Sequence, residues 1–174
     1  MLFDVYGPLP VEFGDDNERW RAAFWNDVED QQAEGLKLAI GCYAFCLRNG
    51  ENSKPWYVGK TLAATGFEGE IFQPHKVSHF KNANEVNRGR REIFLFPLLT
   101  PEGRFSHALT AGQPSIDWLE TTLIGMALAK NPRIANLQNT RMLRNIQVPG
   151  LCGETLPGRP TSAVAAVRSV FLDL

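Results

Sequence analysis

Apolar positions recur along this chain in two rhythms. Trp20, Phe24 and Val28 fall every four residues, which lines one side of a helix. Asp15 or Asp16 stands ahead of them as an N-cap, so a helix is predicted from there to about Glu34. From Leu36 to Leu47 the apolar residues crowd together, with Ile40, Cys42, Tyr43 and Phe45, and the stretch reads as a buried strand. Trp56-Tyr57-Val58 reads as a second strand. Asn49-Gly50-Glu51-Asn52 between them is a turn signal, so the two are predicted to pair as an antiparallel hairpin. Lys76 to Asn87 is a polar helix carrying Val77 and Phe80, and Ile93 to Leu99 is a third, strongly apolar strand. Thr100-Pro101-Glu102-Gly103 turns the chain. Ser115 is placed to cap a long helix running to about Lys130, with Asp117 and Glu120 in its favourable first turn. Its expected buried stripe is Ile116, Leu119, Leu123 and Met126, and Asn131-Pro132 ends it. Residues 1–14 read as an irregular lead-in and 146–160 as loop. A last helix from about Pro160 packs Val164, Val167 and Phe171.

This order of elements predicts an α+β fold: a small, mainly antiparallel sheet of three strands or slightly more, flanked by helices. A length of 174 residues with 44% hydrophobic content suits one compact domain over 1–174. No repeat, low-complexity tract or linker divides it.

Charge narrows the function classes. A net charge of −1 excludes a basic coat over the whole surface. The balance is local. The first helix and its surroundings are acidic, whereas Lys76, Lys81, Arg88, Arg90 and Arg91 oppose only Glu85, and Lys130, Arg133, Arg141 and Arg144 have no acid between them. Such patches bind a polyanion or are ordinary solvated faces, and Arg88, Arg90 and Arg91 fit a DNA-backbone patch and a solvated turn equally. Three cysteines, Cys42, Cys46 and Cys152, with no CxxC pair, make no disulfide framework. Cys42 and Cys46 are spaced to share one strand face as small core residues. Without a basic-then-apolar leader or a run long enough for a bilayer, the expectation is a reduced, cytoplasmic, soluble protein with no membrane partner.

The candidate chemistry lies in Gly41-Cys42-Tyr43, Tyr57-Val58-Gly59-Lys60-Thr61, Trp118-Leu119-Glu120 and Asn131-Pro132-Arg133-Ile134-Ala135-Asn136. Cutting a phosphodiester requires an activated water, neutralised phosphate charge and an in-line approach. A hydrated Mg²⁺ needs only one or two protein carboxylates, which a helix-borne Glu120 could supply. A tyrosine serves as base only where cations lower its pKa, and Lys60 could be such a cation. Lys60-Thr61 is not a phosphate-cradling Walker loop, since the upstream glycine is missing. His75 and His79, four apart, are half of a zinc site with no adjacent acidic or cysteine partner.

In their order, these motifs resemble the GIY-YIG nuclease superfamily over roughly Gly41 to Asn136. The resemblance implies a GIY-YIG-like core at about 36–140, with the acidic N-terminal helix and the C-terminal helical extension packed on it. It also implies a metal-dependent endonuclease, with DNA favoured over RNA. Glu120 would hold one Mg²⁺ or Mn²⁺. Tyr43 would deprotonate the attacking water, aided by His79 or Lys60, and Tyr57 would hydrogen-bond in the site. Asn136, with Asn131 as a rival, would brace the metal-side loop. Lys76, Lys81, Arg88, Arg90 and Arg91 would contact nucleic acid. The gap between the two tripeptides is slightly longer than is usual in the family. The family's arginine has no match between Thr61 and Pro74; Lys76 stands in for it, without arginine's bidentate grip on phosphate. That departure motivates the alternative, a catalytically weak or inactive nucleic-acid-binding module using the same cleft. A third possibility is a protein-interaction domain that kept only the fold.

Overall fold

The expected antiparallel hairpin is present. The structure, a computed structural model of the chain, describes residues 1–86, 89–108, 112–136, 140 and 161–171. The chain divides into two compact units, Met1–Asn136 and Leu137–Leu174. In the first unit, β3 (Gly41–Asn49) and β4 (Asn52–Thr61) pair antiparallel from Gly41↔Thr61 to Asn49↔Asn52. Gly50 makes the reversal at φ 60°, a left-handed backbone that costs glycine nothing. β5 (Arg90–Leu99) lies antiparallel on the other side of β3.

Residues 1–14 are not the irregular lead-in expected. β1 (Leu2–Phe3) and β2 (Tyr6–Pro10) both pair antiparallel with β5, through Leu2↔Leu99 and Tyr6↔Leu95. Gly7, Pro8 and Pro10 mask this strand in the sequence, yet proline is tolerated where the strand is at a sheet edge. The result is a five-stranded antiparallel sheet in the order β1-β5-β3-β4, with β2 also on β5. The strand expected from Leu36 begins at Gly41, because Leu36–Leu38 form a 3₁₀ turn.

Side-chain alternation gives the sheet two faces. Tyr43, Phe45 and Leu47 of β3 and Ile93 and Leu95 of β5 join the larger core. There they meet Trp20, Phe24 and Val28 of α1 (Asn17–Gln31), Phe67 and Ile71 of α2 (Gly66–Ile71), and Val77 and Phe80 of α3 (Pro74–Val86). The Asp16 carboxylate caps α1 by accepting from the Glu18 and Arg19 amides. On the opposite face, Cys42 packs with Ile40, Leu98 and Ile116 of α4 (Gln113–Lys130). Cys42 and Cys46 are both buried and unoxidised; Cys152 lies outside the described residues.

α4 differs from expectation at two points. It starts at Gln113 with Pro114 in its first turn, so Ser115 is inside the helix and makes no cap. Its buried residues are Ile116, Ile124 and Ala127, while Met126 is exposed. Ten residues beyond Ile116 a side chain sits about 80° away around the helix, and eleven residues beyond it about 20° away. Leu119 and Leu123 pack as expected. In the second unit, α5 (Ser162–Phe171) keeps Val164 and Val167 half-buried; the Phe171 side chain and residues 146–160 lie outside the described residues. Among the described residues, no helix is long and apolar enough to cross a membrane.

β4 is the outer strand, and the segment after α4 covers its free edge. Asn131 Nδ2 donates to the Pro55 carbonyl at 2.8 Å, and the Ala135 amide donates to the Trp56 carbonyl at 2.7 Å. The Asn136 side chain acts as a short strand: Oδ1 accepts from the Val58 amide at 2.9 Å and Nδ2 donates to the Val58 carbonyl at 2.7 Å. Asn136→Ala should leave both buried Val58 groups unpaired and cost about 2–4 kcal/mol in urea unfolding. Exposed Arg133→Ala should cost less than about 0.5 kcal/mol. Equal losses would show that the side-chain pairing does not hold the edge.

Candidate active site at the outer strand

Tyr43 faces Gly59 across the hairpin. A Cβ at Gly59 would stand 2.5 Å from Cζ and Oη of Tyr43, so the glycine of Tyr57-Val58-Gly59 is where the Tyr43 ring lies flat against backbone. Tyr43 is fully buried, and its Oη has no partner at hydrogen-bonding geometry although the Tyr57 phenol is close by. Desolvation drives its phenol far above the ordinary value, and the Tyr57 and Glu120 fields add to the shift. This opposes the expected role of Tyr43 as the water-activating base: the hydroxyl is sealed from solvent and stays protonated. Tyr57 is half-buried and its phenol is raised too, first by burial and then by Glu120 against a lowering contact with Tyr43. Its ring stacks on His79 at 5.9 Å and 9°.

Lys60 pairs with Cys42 in the hairpin register, so it projects from the other face of the sheet, towards α4. Its Nζ lies 2.7 Å from Asp117 Oδ1 and 2.9 Å from Glu120 Oε2. Burial alone would lower the Lys60 pKa, but the two carboxylates outweigh it and raise it. Asp117 and Glu120 were expected in the first turn of α4, but the helix begins at Gln113, so both lie beyond that turn; Asp117 was not anticipated as a site residue. Only its three-residue spacing from Glu120, one turn along the same side of α4, hinted at a shared partner.

Lys76 does not offer its charge to solvent, as a phosphate-neutralising role requires. It is buried, ion-paired with Glu70 of α2, and its Nζ sits 5.6 Å from the centre of the Tyr43 ring. Burial pulls its pKa down to about 8, against the opposing field of Glu120. Glu70 had no signal in the sequence, since α2 itself was not anticipated. Asn136 and Asn131 both serve the β4 edge. Of the expected nucleic-acid contacts, Lys81 and Arg91 both lie over the Phe13 ring, at 5.2 and 4.8 Å, Arg90 is exposed, and Arg88 lies outside the described residues.

The phenols and Lys60 therefore lie on opposite faces of the sheet. What they share is Glu120, whose charge acts on Tyr43, Tyr57 and Lys76 while it pairs directly with Lys60. Glu120 and Asp117 together offer hard oxygen donors suited to a hydrated Mg²⁺ or Mn²⁺ on one or two carboxylates. Lys60 is then the competitor of that ion, because its ammonium bridges the same two groups. Among the described residues no cluster of three or more His, Cys, Asp or Glu exists, so His75 and His79 gain no partners for a zinc site. Comparison with protein-family models, with curated proteins and with solved structures returns no match for this chain.

Gly59→Ala should destabilise the fold by about 1–3 kcal/mol through overpacking on Tyr43. Combined with Tyr43→Leu, which clears the contact, a double-mutant cycle in urea should show coupling above about 1 kcal/mol. Additive losses would mean that the ring does not impose the glycine.

Lys76 makes a pH signature. In the unfolded chain it keeps its proton up to 10.5, whereas in the fold it releases it near 8. Between those values the unfolded state binds more protons, so stability rises with pH there. The stability of the unaltered protein relative to Lys76→Met should therefore increase from about pH 8 to pH 10.5. A flat or falling difference would mean that the ion pair with Glu70, not burial, governs this lysine.

Proposed function

We propose that this chain is a metal-dependent endonuclease of the GIY-YIG kind that hydrolyses DNA phosphodiester bonds at the outer edge of β4. The observation that carries this reading is the meeting of helix-borne Glu120, distant in sequence, with the lysine of the second motif: Lys60 Nζ lies 2.9 Å from Glu120 Oε2, with Asp117 beside it at 2.7 Å. Glu120, with Asp117 beside it, would hold the Mg²⁺ or Mn²⁺. When bound, that ion supplies positive charge against a phosphate oxygen. Lys60, released from the two carboxylates, turns its ammonium to the substrate and offsets the remaining charge. Tyr57 orients the attacking water, and His79, stacked on Tyr57, takes the proton. Tyr43 is the wall against which this arrangement is built.

Plasmid nicking and cleavage of branched DNA in Mg²⁺ or Mn²⁺ test the reading. Glu120→Gln and Tyr57→Phe should each lose about 100-fold or more in rate. Cleavage at the same rate in Glu120→Gln, or none by the unaltered protein in either metal, would sink it.

A second reading is favoured by one specific arrangement. Both lysines of the site are already engaged by carboxylates, Lys60 by Asp117 and Glu120 and Lys76 by Glu70. A non-catalytic nucleic-acid-binding module accommodates this directly, with Lys81, Arg90 and Arg91 making the contacts. It expects salt-sensitive DNA retention without cleavage in any divalent metal.

A further inference from the structure

α4 carries apolar side chains on the side turned away from the sheet as well as on the side packed against it. Ile116, Ile124 and Ala127 are its buried residues. Ala127 lies nine residues beyond Trp118, about 180° round the helix, so Trp118 points away from the core. It is 68% exposed, whereas the other three tryptophans, Trp20, Trp25 and Trp56, are buried. A single exposed apolar residue is ordinary, but this one begins a row. Trp118, Thr122, Met126 and Lys130 follow at four-residue steps, and side chains at that spacing are neighbours along a helix. Met126 and Lys130 are exposed, and Thr122 is half-buried with its hydroxyl donating to the Trp118 carbonyl at 2.8 Å.

The row is an apolar ridge that ends in positive charge. Arg133, exposed in the segment just after the helix, adds a second cation at that end. No acid stands in the row. Asp117 and Glu120 are about 100° and 160° round the helix from Trp118, and both pair with Lys60. An aromatic platform with cations beyond it suits a single nucleic-acid strand, because every base offers a π-face and every linkage a negative charge. A duplex is a poorer match. Its base faces are stacked inside, and two cations at one end of the ridge leave most of its phosphates unmet. A second protein is poorer still. From Trp118 to Lys130 the ridge is about 18 Å long and about 10 Å wide, far below the roughly 800 Å² that each partner buries in a stable protein interface.

We propose that this ridge binds an unpaired DNA strand, with one base stacked on Trp118 and phosphates reaching Lys130 and Arg133. The inference rests on the endonuclease reading and deepens it. Trp118 adjoins Asp117, so the stacked base belongs to a nucleotide flanking the phosphate to be cut, and the substrate class is DNA with an unpaired segment at that point.

The test is made in EDTA, where metal-dependent cleavage plays no part. A short oligothymidylate and a blunt duplex of equal length are titrated, and binding is read by tryptophan fluorescence and by anisotropy of a dye on the DNA. The oligothymidylate should quench the emission of the exposed indole, and the duplex should not. Trp118→Ala, a surface change, should weaken oligothymidylate binding about tenfold or more. The double variant Lys130→Gln/Arg133→Gln should lower the slope of log affinity against log salt by about 1.4, two phosphates at about 0.7 each. Equal quenching by the duplex, or undiminished binding by Trp118→Ala, would overturn the inference. So would a dimer in sedimentation that Trp118→Ala dissolves, since the ridge would then belong to a second copy. Plasmid cleavage in Mg²⁺ reports on the endonuclease reading separately. Its absence with Trp118-dependent binding intact sinks that reading alone, and cleavage without such binding sinks this inference alone.

Discussion

The free edge of β4 is the constraint on which the remaining geometry depends. An outer strand presents unpaired amides and carbonyls, and this one carries the site lysine, the site glycine and one of the two phenols. The edge is closed from within the chain, by Asn131, Ala135 and Asn136 bonding to Pro55, Trp56 and Val58. Those bonds begin directly after α4 ends, so they also pin the C-terminal end of that helix beside the hairpin end of β4. Ile116, buried against Cys42, fixes its other end. Between the two anchors, Asp117 and Glu120 have no choice but to meet Lys60. The ion-pair cluster thus follows from edge protection and core packing together.

Within that frame the electrostatics are closely balanced. Each site lysine is held by carboxylates on its own side of the sheet, and the two clusters interact through the field of Glu120. Desolvation works in the same sense on both tyrosines and on Lys76, favouring the neutral forms. Burial acts on Lys60 in that sense too, but its two acids outweigh it and keep the charged form. A divalent ion entering this cluster would compete with the Lys60 ammonium for the same two carboxylates.

What the sequence made legible was what depends on local period. The α1 stripe of Trp20, Phe24 and Val28, the hairpin turn at Asn49-Gly50-Glu51-Asn52 and the apolar β5 all appear in the structure, because helix and strand periodicity survive any tertiary context. β1 and β2 were hidden because Gly7, Pro8 and Pro10 disfavour strands everywhere except at an edge, and edge status is not a local property. The expectation that Lys60 would aid Tyr43 in deprotonating water meets the parity of the strand. Tyr57 and Lys60 are separated by an odd number of residues, so a regular strand sends them to opposite faces. That rule was readable from the sequence. Glu70 and Asp117 were not, since each finds its lysine only after α2 and α4 have packed.

The parity of β4 bears on how the chemistry could work at all. Gly59 faces Tyr43 across the hairpin, two positions from Tyr57 and next to Lys60. The missing Cβ makes room for the Tyr43 ring on one face. A larger residue there would displace Tyr43, so one glycine sets the packing of the buried phenol.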